Sequence, residues 1–152
     1  MALDGPITIQ LRKLPGAVDV PLPQFATAHA AGADLHAAIA DNLTLAPGEI
    51  RLIPCGFAMA IPPGYEAQIR PRSGLSSRHG ITLINSPGTI DADYRGEVQV
   101  PVINLGKAPF TVEPKMRIAQ MIISALPKVI YTQVESLDET PRGAGGFGHT
   151  GL

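Results

Sequence analysis

Tryptophan is absent from this 152-residue sequence, cysteine occurs once, and aromatic residues make up only 5%. A core without Trp and with few rings has to be assembled from Val, Ile, Leu, Ala and Met, which suits stacked β layers. A lone Cys55 cannot form an internal disulfide and has no metal-ligand partner at useful spacing, so it reads as a small buried apolar residue. Charge of one sign is also missing: the formal net charge is -1 and no long run is acidic or basic. That excludes the basic stripe selected by a nucleic-acid polymer or an anionic membrane, and any anionic ligand must be held by local arginines. No apolar run approaches the ~18 residues of a membrane span. Residues 1–6 carry Asp4 and no basic leader region. The expectation is a soluble cytoplasmic protein.

What the sequence does have is punctuation. Sixteen glycines and fifteen prolines break the chain too often for long helices. Pro-Gly pairs begin at 15, 47, 63 and 87, each beside an apolar stretch, as tight turns require. Between them the pattern alternates: Ile7, Ile9 and Leu11; Tyr65, Ala67 and Ile69; Val98, Val100 and Val102. Period two predicts strands with one buried face. Residues 116–126, bracketed by Pro114 and Pro127 and crowded with isoleucine, read as a further strand. Residues 73–80 are the one candidate helix, with Ser73 as its cap and Gly80 as its left-handed end. The length fits one domain, and the expected class is all-β, a jelly-roll-like barrel or sandwich with one short helix.

Composition changes at Ser136. Residues 1–135 are expected to form the β domain and residues 136–152 a flexible tail, because a polar stretch followed by five glycines and one ring cannot fold by itself. Within that tail Arg142, Phe147, His149 and Thr150 offer a cation, a stacking ring and polar groups on a pliable backbone.

Two other segments carry chemistry. Residues 71–78 combine helix-start N–H groups, serine hydroxyls and the guanidinium groups of Arg72 and Arg78, which is what a phosphate wants. Residues 85–96 read as a β-hairpin displaying Asp91, Asp93 and Tyr94; the oxygen-ligand pattern of a calcium loop is absent, so one carboxylate fits a general base better. His29, His36 and His79 have no metal-binding spacing and read as loop or surface residues.

The order of motifs resembles one family. Ala31-Gly32-Ala33-Asp34-Leu35-His36-Ala37, Pro71-Arg72-Ser73-Gly74-Leu75, Gly88 to Glu97, Arg117-Ile118-Ala119-Gln120 and Arg142 to Gly151 are similar to the five ordered motifs of the trimeric dUTPases. Two departures stand out: Pro114-Lys115-Met116 replaces a common Pro-Gly-acidic turn, and His149 stands where serine is common.

The resemblance implies a jelly-roll homotrimer with sites shared between subunits and closed by a neighbour's tail, dUTP as substrate and Mg²⁺ as cofactor. It implies that Asp34 holds water ligands of the metal, most of whose ligands are phosphate and water. Arg72, Ser73 and Gly74 would grip the phosphate chain, and Ser73 would stabilise the leaving pyrophosphate. Asn85, Thr89, Ile90 and Gln99 would read uracil. Asp91 would activate water and touch the 3′-hydroxyl, while Tyr94 would lie under the deoxyribose and exclude a 2′-hydroxyl. Arg117 would organise the site and Gln120 would reach the α-phosphate. Arg142 would meet the triphosphate, Phe147 would stack on uracil, and Gly148 with Thr150 would complete the γ-phosphate grip. Two alternatives share the fold: a dCTP deaminase-type enzyme, and a non-catalytic dUTP-binding jelly-roll protein.

Overall fold

Alternating stretches become strands because successive side chains of an extended backbone point to opposite faces, and here only one face has apolar company. The computed structural model describes residues 5–149 and residue 151. Its elements in chain order are β1 (Gln10–Lys13), β2 (Gln24–Phe25), β3 (Ala33–His36), β4 (Leu43–Leu45), β5 (Ile50–Ala60), β6 (Tyr65–Arg70), α1 (Ser73–His79), β7 (Ile81–Leu83), β8 (Gly88–Ile90), β9 (Glu97–Asn104), β10 (Phe110–Val112) and β11 (Arg117–Ala125). A four-stranded sheet, β1-β5-β9-β7, packs on a five-stranded sheet, β2-β3-β11-β6-β8, and β10 pairs with β4. All pairings are antiparallel. This is the expected all-β, jelly-roll-like architecture with one short helix.

The core lies between the two larger sheets. Val98, Val100 and Val102 of β9 and Ile53 of β5 are fully buried, and they share one apolar cluster with Leu35, Ala67, Ile69, Ala119 and Met121 of the opposite sheet. Each fully buried Val, Leu or Ile contributes about 1.5–3 kcal/mol relative to exposure. Phe57 is the one buried aromatic among the described residues. Cys55 is buried as expected; burial, then the nearby Glu97 carboxylate, push its thiol up to about 12. The thiol therefore stays neutral and unreactive at physiological pH.

Several local expectations need correction. The cap of α1 is Arg72, with φ -90° and ψ 129°, so Ser73 is the first helical residue and makes no side-chain capping bond. Arg72 stays extended because its guanidinium reaches sideways to Asp34. Gly80 does close the helix at φ 68° and donates its N–H to Ser76 O. The first strand starts at Gln10, which leaves Ile7 exposed while Ile9 and Leu11 pack on the core. Of the four Pro-Gly pairs, Gly16, Gly48 and Gly64 have positive φ as turns require, whereas Gly88 is the first residue of β8.

Residues 85–96 are not a hairpin. β8 pairs with β6 in one sheet, with Gln68 opposite Thr89, and β9 pairs with β5 and β7 in the other. The segment from Asp91 to Gly96 therefore crosses between sheets. Turn chemistry sets where the chain reverses; the partner is chosen by which sheet can bury Val98, Val100 and Val102 together.

The departure at Pro114-Lys115-Met116 has a conformational consequence. Lys115 sits at φ 63°, and the turn is held by Lys115 N–H donating to Ala37 O at 2.8 Å and Met116 N–H donating to Glu113 O at 3.1 Å. A residue with a Cβ in this region costs about 1–2 kcal/mol. Glycine removes that cost but gains unfolded-state entropy. Lys115→Gly is expected to stabilise the protein by about 0.5–1 kcal/mol, a rise in Tm of about 1–4 °C measured by calorimetry. An unchanged or lower Tm would mean that the turn bears no strain.

Candidate active site

The first cleft is built around Asp34. Opposite it on β11 stands Gln120, and the pairing of β11 with β3 shifts register between Arg117 and Ala119. At that bulge Ile118 and Ala119 both turn into the core, at 2% and 0% exposure. Arg117 and Gln120, three residues apart, would face opposite ways on a regular strand; the bulge puts both on the Asp34 side. Arg72 Nε donates to Asp34 Oδ1 at 3.0 Å, and Arg117 Nη1 donates to Asp34 Oδ2 at 3.3 Å. Gln120 Nε2 donates to Pro71 O at 2.9 Å, and its side chain occupies the space a Cβ on Gly32 would need. Partly exposed ion pairs of this kind contribute only about 0–1 kcal/mol, so their effect is orientation more than stability.

The resulting cleft has a volume of about 580 Å³. Asp34, Arg72, Ser73, Gly74, Arg117 and Gln120 line it, which unites five of the expected site residues with Arg117. Two guanidiniums against one carboxylate leave an excess of positive charge, and Ser73 Oγ makes no hydrogen bond among the described residues. Both features suit an anion.

Sequence reasoning missed three aspects of this cleft. His79 also lines it, next to Arg78 of the expected phosphate segment, and the available signal was that His79 follows Arg78 at the end of the same short helix. Small residues at 26 and 30 form another part of the wall. His36, expected in a loop or on the surface, is half-buried in β3, and its buried Nδ1 has no hydrogen-bond partner. Burial lowers its pKa; Asp34 opposes this, and Arg117 and Arg72 add to it.

A second, smaller cleft of about 210 Å³ lies at the edge formed by β8 and the start of β9. Thr89, Ile90, Asp91, Tyr94 and Gln99 line it together with Glu97 and Val98. The Asp91 carbonyl accepts the Tyr94 N–H at 3.2 Å, while the Asp91 residue itself is exposed. Tyr94 Oη donates to Glu97 O at 2.9 Å. Asn85 is outside this lining; its amide packs beside Gly88. The two clefts share no lining residue, so one chain does not bring Asp91 and Tyr94 together with Asp34, Arg72, Ser73 and Gln120.

The tail is separate from both. After Ala125 the described residues form no helix or strand. Arg142 Nε donates to Gly145 O at 2.8 Å, the His149 ring packs on Gly145, and Phe147 is fully exposed. Arg142, Phe147 and Gly148 line neither cleft. Thr150 lies outside the described residues.

A family model described as dUTPase matches residues 19–151. The chain belongs to the dUTPase family. A deoxyuridine 5'-triphosphate nucleotidohydrolase of Rickettsia felis is 59% identical over 131 residues, covering 86% of this chain and 88% of that one. A Staphylococcus bacteriophage 80alpha dUTPase solved with dUpNHpp has a TM-score of 0.84 at 25% identity, covering 95% of this chain and 99% of that chain. A dUTPase from phage phi11 of S. aureus, whose structure describes coordination of a structural Mg(II) ion, has a TM-score of 0.77 at 23% identity, covering 88% and 100%. That last likeness bears on the fold alone.

For a dUTPase, the protein side of a metal site is sparse. Among the described residues no group of three His, Cys, Asp or Glu side chains is placed to hold an ion. Both Asp34 oxygens already accept from guanidiniums, so this carboxylate suits contact with the waters of an ion better than direct ligation. Magnesium retains waters and takes phosphate oxygens readily, so the residues fit an ion that arrives with a polyphosphate. No helix among the described residues is long and apolar enough to cross a membrane.

Proposed function

We propose that this dUTPase-family chain hydrolyses dUTP to dUMP and pyrophosphate, with each site completed by different copies of a homotrimer. The observation that carries this is the division of the site residues between an arginine-rich cleft and a separate small cleft beside an exposed carboxylate. A triphosphate fits the first and a nucleoside the second, so joining the two needs a second chain. Residues 126–137 support the same reading: Ile130, Tyr131 and Leu137 are 80%, 95% and 83% exposed, apolar surface that their own chain leaves uncovered. Residues 136–152 then close over a neighbour's site.

In this reading Arg72, Ser73 and Gly74 bind the phosphate chain, Arg117 fixes Asp34 and Arg72, and Gln120 approaches the α-phosphate. Thr89, Ile90, Gln99 and Asn85 read the uracil edge, largely through backbone. Asp91 orients a water and takes its proton as it attacks the α-phosphorus, and pyrophosphate leaves into the positive field of the arginines. Tyr94 faces the sugar. Arg142, Phe147, Gly148 and Thr150 cover phosphate and base and exclude water. Magnesium, when bound with the triphosphate and held through water by Asp34, supplies charge neutralisation. No protein nucleophile is needed, because positioning and preorganised charge carry the acceleration. The reaction removes dUTP before it enters DNA and yields dUMP for dTMP synthesis, and we place it in the cytoplasm.

The test is pyrophosphate release from dUTP and from dCTP, each with and without Mg²⁺. Release from dUTP alone, dependent on Mg²⁺, is the expected result. Ammonia released from dCTP, alone or followed by pyrophosphate, would favour a deaminase-type enzyme, and binding of dUTP without release of pyrophosphate would favour a non-catalytic binder.

A further inference from the structure

Tyr94 is 45% exposed, yet its hydroxyl is tied back to its own chain. Gly96 lies directly beneath it: a Cβ on Gly96 would stand 2.6 Å from Tyr94 Cζ and closer still to Oη. The ring can fold back over the chain only because residue 96 has no side chain. Folded in this way, Oη reaches Glu97 O and donates to it at 2.9 Å. Glu97 is itself anchored. Its Oε1 accepts the Gly56 N–H at 3.1 Å, from the irregular stretch of β5 where pairing with β9 shifts between Pro54 and Ala58. Gly56 has φ 75°, and a Cβ there would meet Ala17 and Ala38, so this stretch is locked in turn. A chain of contacts thus runs from the middle of β5, through a carboxylate, to a tyrosine ring at the mouth of the smaller cleft. Glu97 lines that cleft as well.

We propose that Gly96 and Glu97 are positioning residues that fix the Tyr94 ring and so set the preference for deoxyribose over ribose. The inference rests on the reading of Tyr94 as the residue facing the sugar. A steric barrier to one hydroxyl works only if the ring cannot move aside. An exposed tyrosine without these contacts has rotamers to spare, and the added oxygen of UTP would push it away at little cost. Gly96 supplies the space for the blocking orientation, the Glu97 carbonyl supplies the hydrogen bond that holds it, and the Glu97 carboxylate ties that carbonyl to the sheet.

The experiment compares kcat/KM for dUTP and UTP in the full-length protein and in Tyr94→Ala, Gly96→Ala, Glu97→Ala and Glu97→Gln. Tyr94→Ala should lower the dUTP-to-UTP ratio. Gly96→Ala and Glu97→Ala should each lower it by roughly tenfold, a substantial part of what a shaped pocket achieves against one added hydroxyl. Glu97→Gln should stay within about twofold of the parent ratio, because its amide oxygen still accepts the Gly56 N–H. A purely structural role for Glu97 would depress both substrates alike and leave the ratio unmoved. Should Glu97→Ala fail to fold, Gly96→Ala decides, since it leaves the bond between Gly56 and the Glu97 carboxylate in place and displaces only the ring, with its bond to the Glu97 carbonyl. A ratio that falls in Tyr94→Ala but stays within about twofold in both positioning variants overturns the inference while sparing the sugar-facing role of Tyr94. A ratio unmoved by Tyr94→Ala removes that role, and the inference with it.

Discussion

Asp91→Asn should lower kcat for dUTP by about 10²–10⁴-fold while leaving the fold and the binding of a non-hydrolysable dUTP analogue near native. Asp91 is exposed, and the local hydrogen bond at this position uses its backbone carbonyl, which accepts the Tyr94 N–H. Asparagine keeps that carbonyl and nearly the same side-chain shape. What it loses is the capacity to take a proton. Pyrophosphate release measures turnover, calorimetry with the analogue measures binding, and thermal unfolding checks the fold. Turnover close to the parent value would remove Asp91 from the base role and direct attention to another group brought in by a neighbouring chain.

Deleting residues 141–152 should leave the proposed trimer folded, with severely reduced turnover, by roughly 10²-fold or more, because closure both positions the substrate and excludes water. None of Arg142, Phe147 or Gly148 lines either cleft, and Phe147 is fully exposed, so the described residues of the segment contribute no wall to either cleft that its removal would take away. Its apolar surface is too small to order it alone. The stronger test mixes the deletion variant with full-length Asp91→Asn and allows subunits to exchange. If base and tail come from different chains, mixed trimers contain sites with an intact Asp91 and an intact tail, and activity returns. Mixed trimers confirmed by native mass spectrometry but still inactive would show that one chain supplies both.

The alternating valines of β9 were legible because period two leaves a one-faced strand few other fates, and the same holds for β6; β11, without clean alternation, was legible from its isoleucines and bracketing prolines. Gly80 was legible because a helix end needs a residue that tolerates positive φ. Partner choice was not legible. Residues 85–96 have the local chemistry of a reversal, and nothing local says that β8 will lie along β6 while β9 joins the opposite sheet. The cap of α1 was misplaced for a related reason: Ser73 is the better capping residue in isolation, but the Arg72 contact with Asp34, across 38 residues of sequence, holds Arg72 extended. His36 was misjudged because spacing rules look for metal partners and do not register that β3 runs beneath the arginines. The motifs named most of the residues lining the two clefts, and their resemblance to a family implied sites shared between subunits; which residues fall in which cleft was set by the fold.

The bulge between Arg117 and Ala119 makes β11 a measuring device as well as a strand. Two consecutive inward residues separate Arg117 from Gln120, and the face each one serves is set by that count. Exchanging Ile118 or Ala119 for another apolar residue of similar size changes packing by degrees. Removing one takes out the extra residue of the bulge: Arg117 and Gln120 then stand two apart on a regular strand and keep the Asp34 side. Removing a residue from the regular part of β11, between Gln120 and Ala125, instead turns one part of the strand over relative to the other and sends its buried face to the wrong layer. A gene encoding this strand can therefore drop a codon at the bulge and keep the guanidinium and the amide together, whereas the same loss a few codons later costs a face of the sheet.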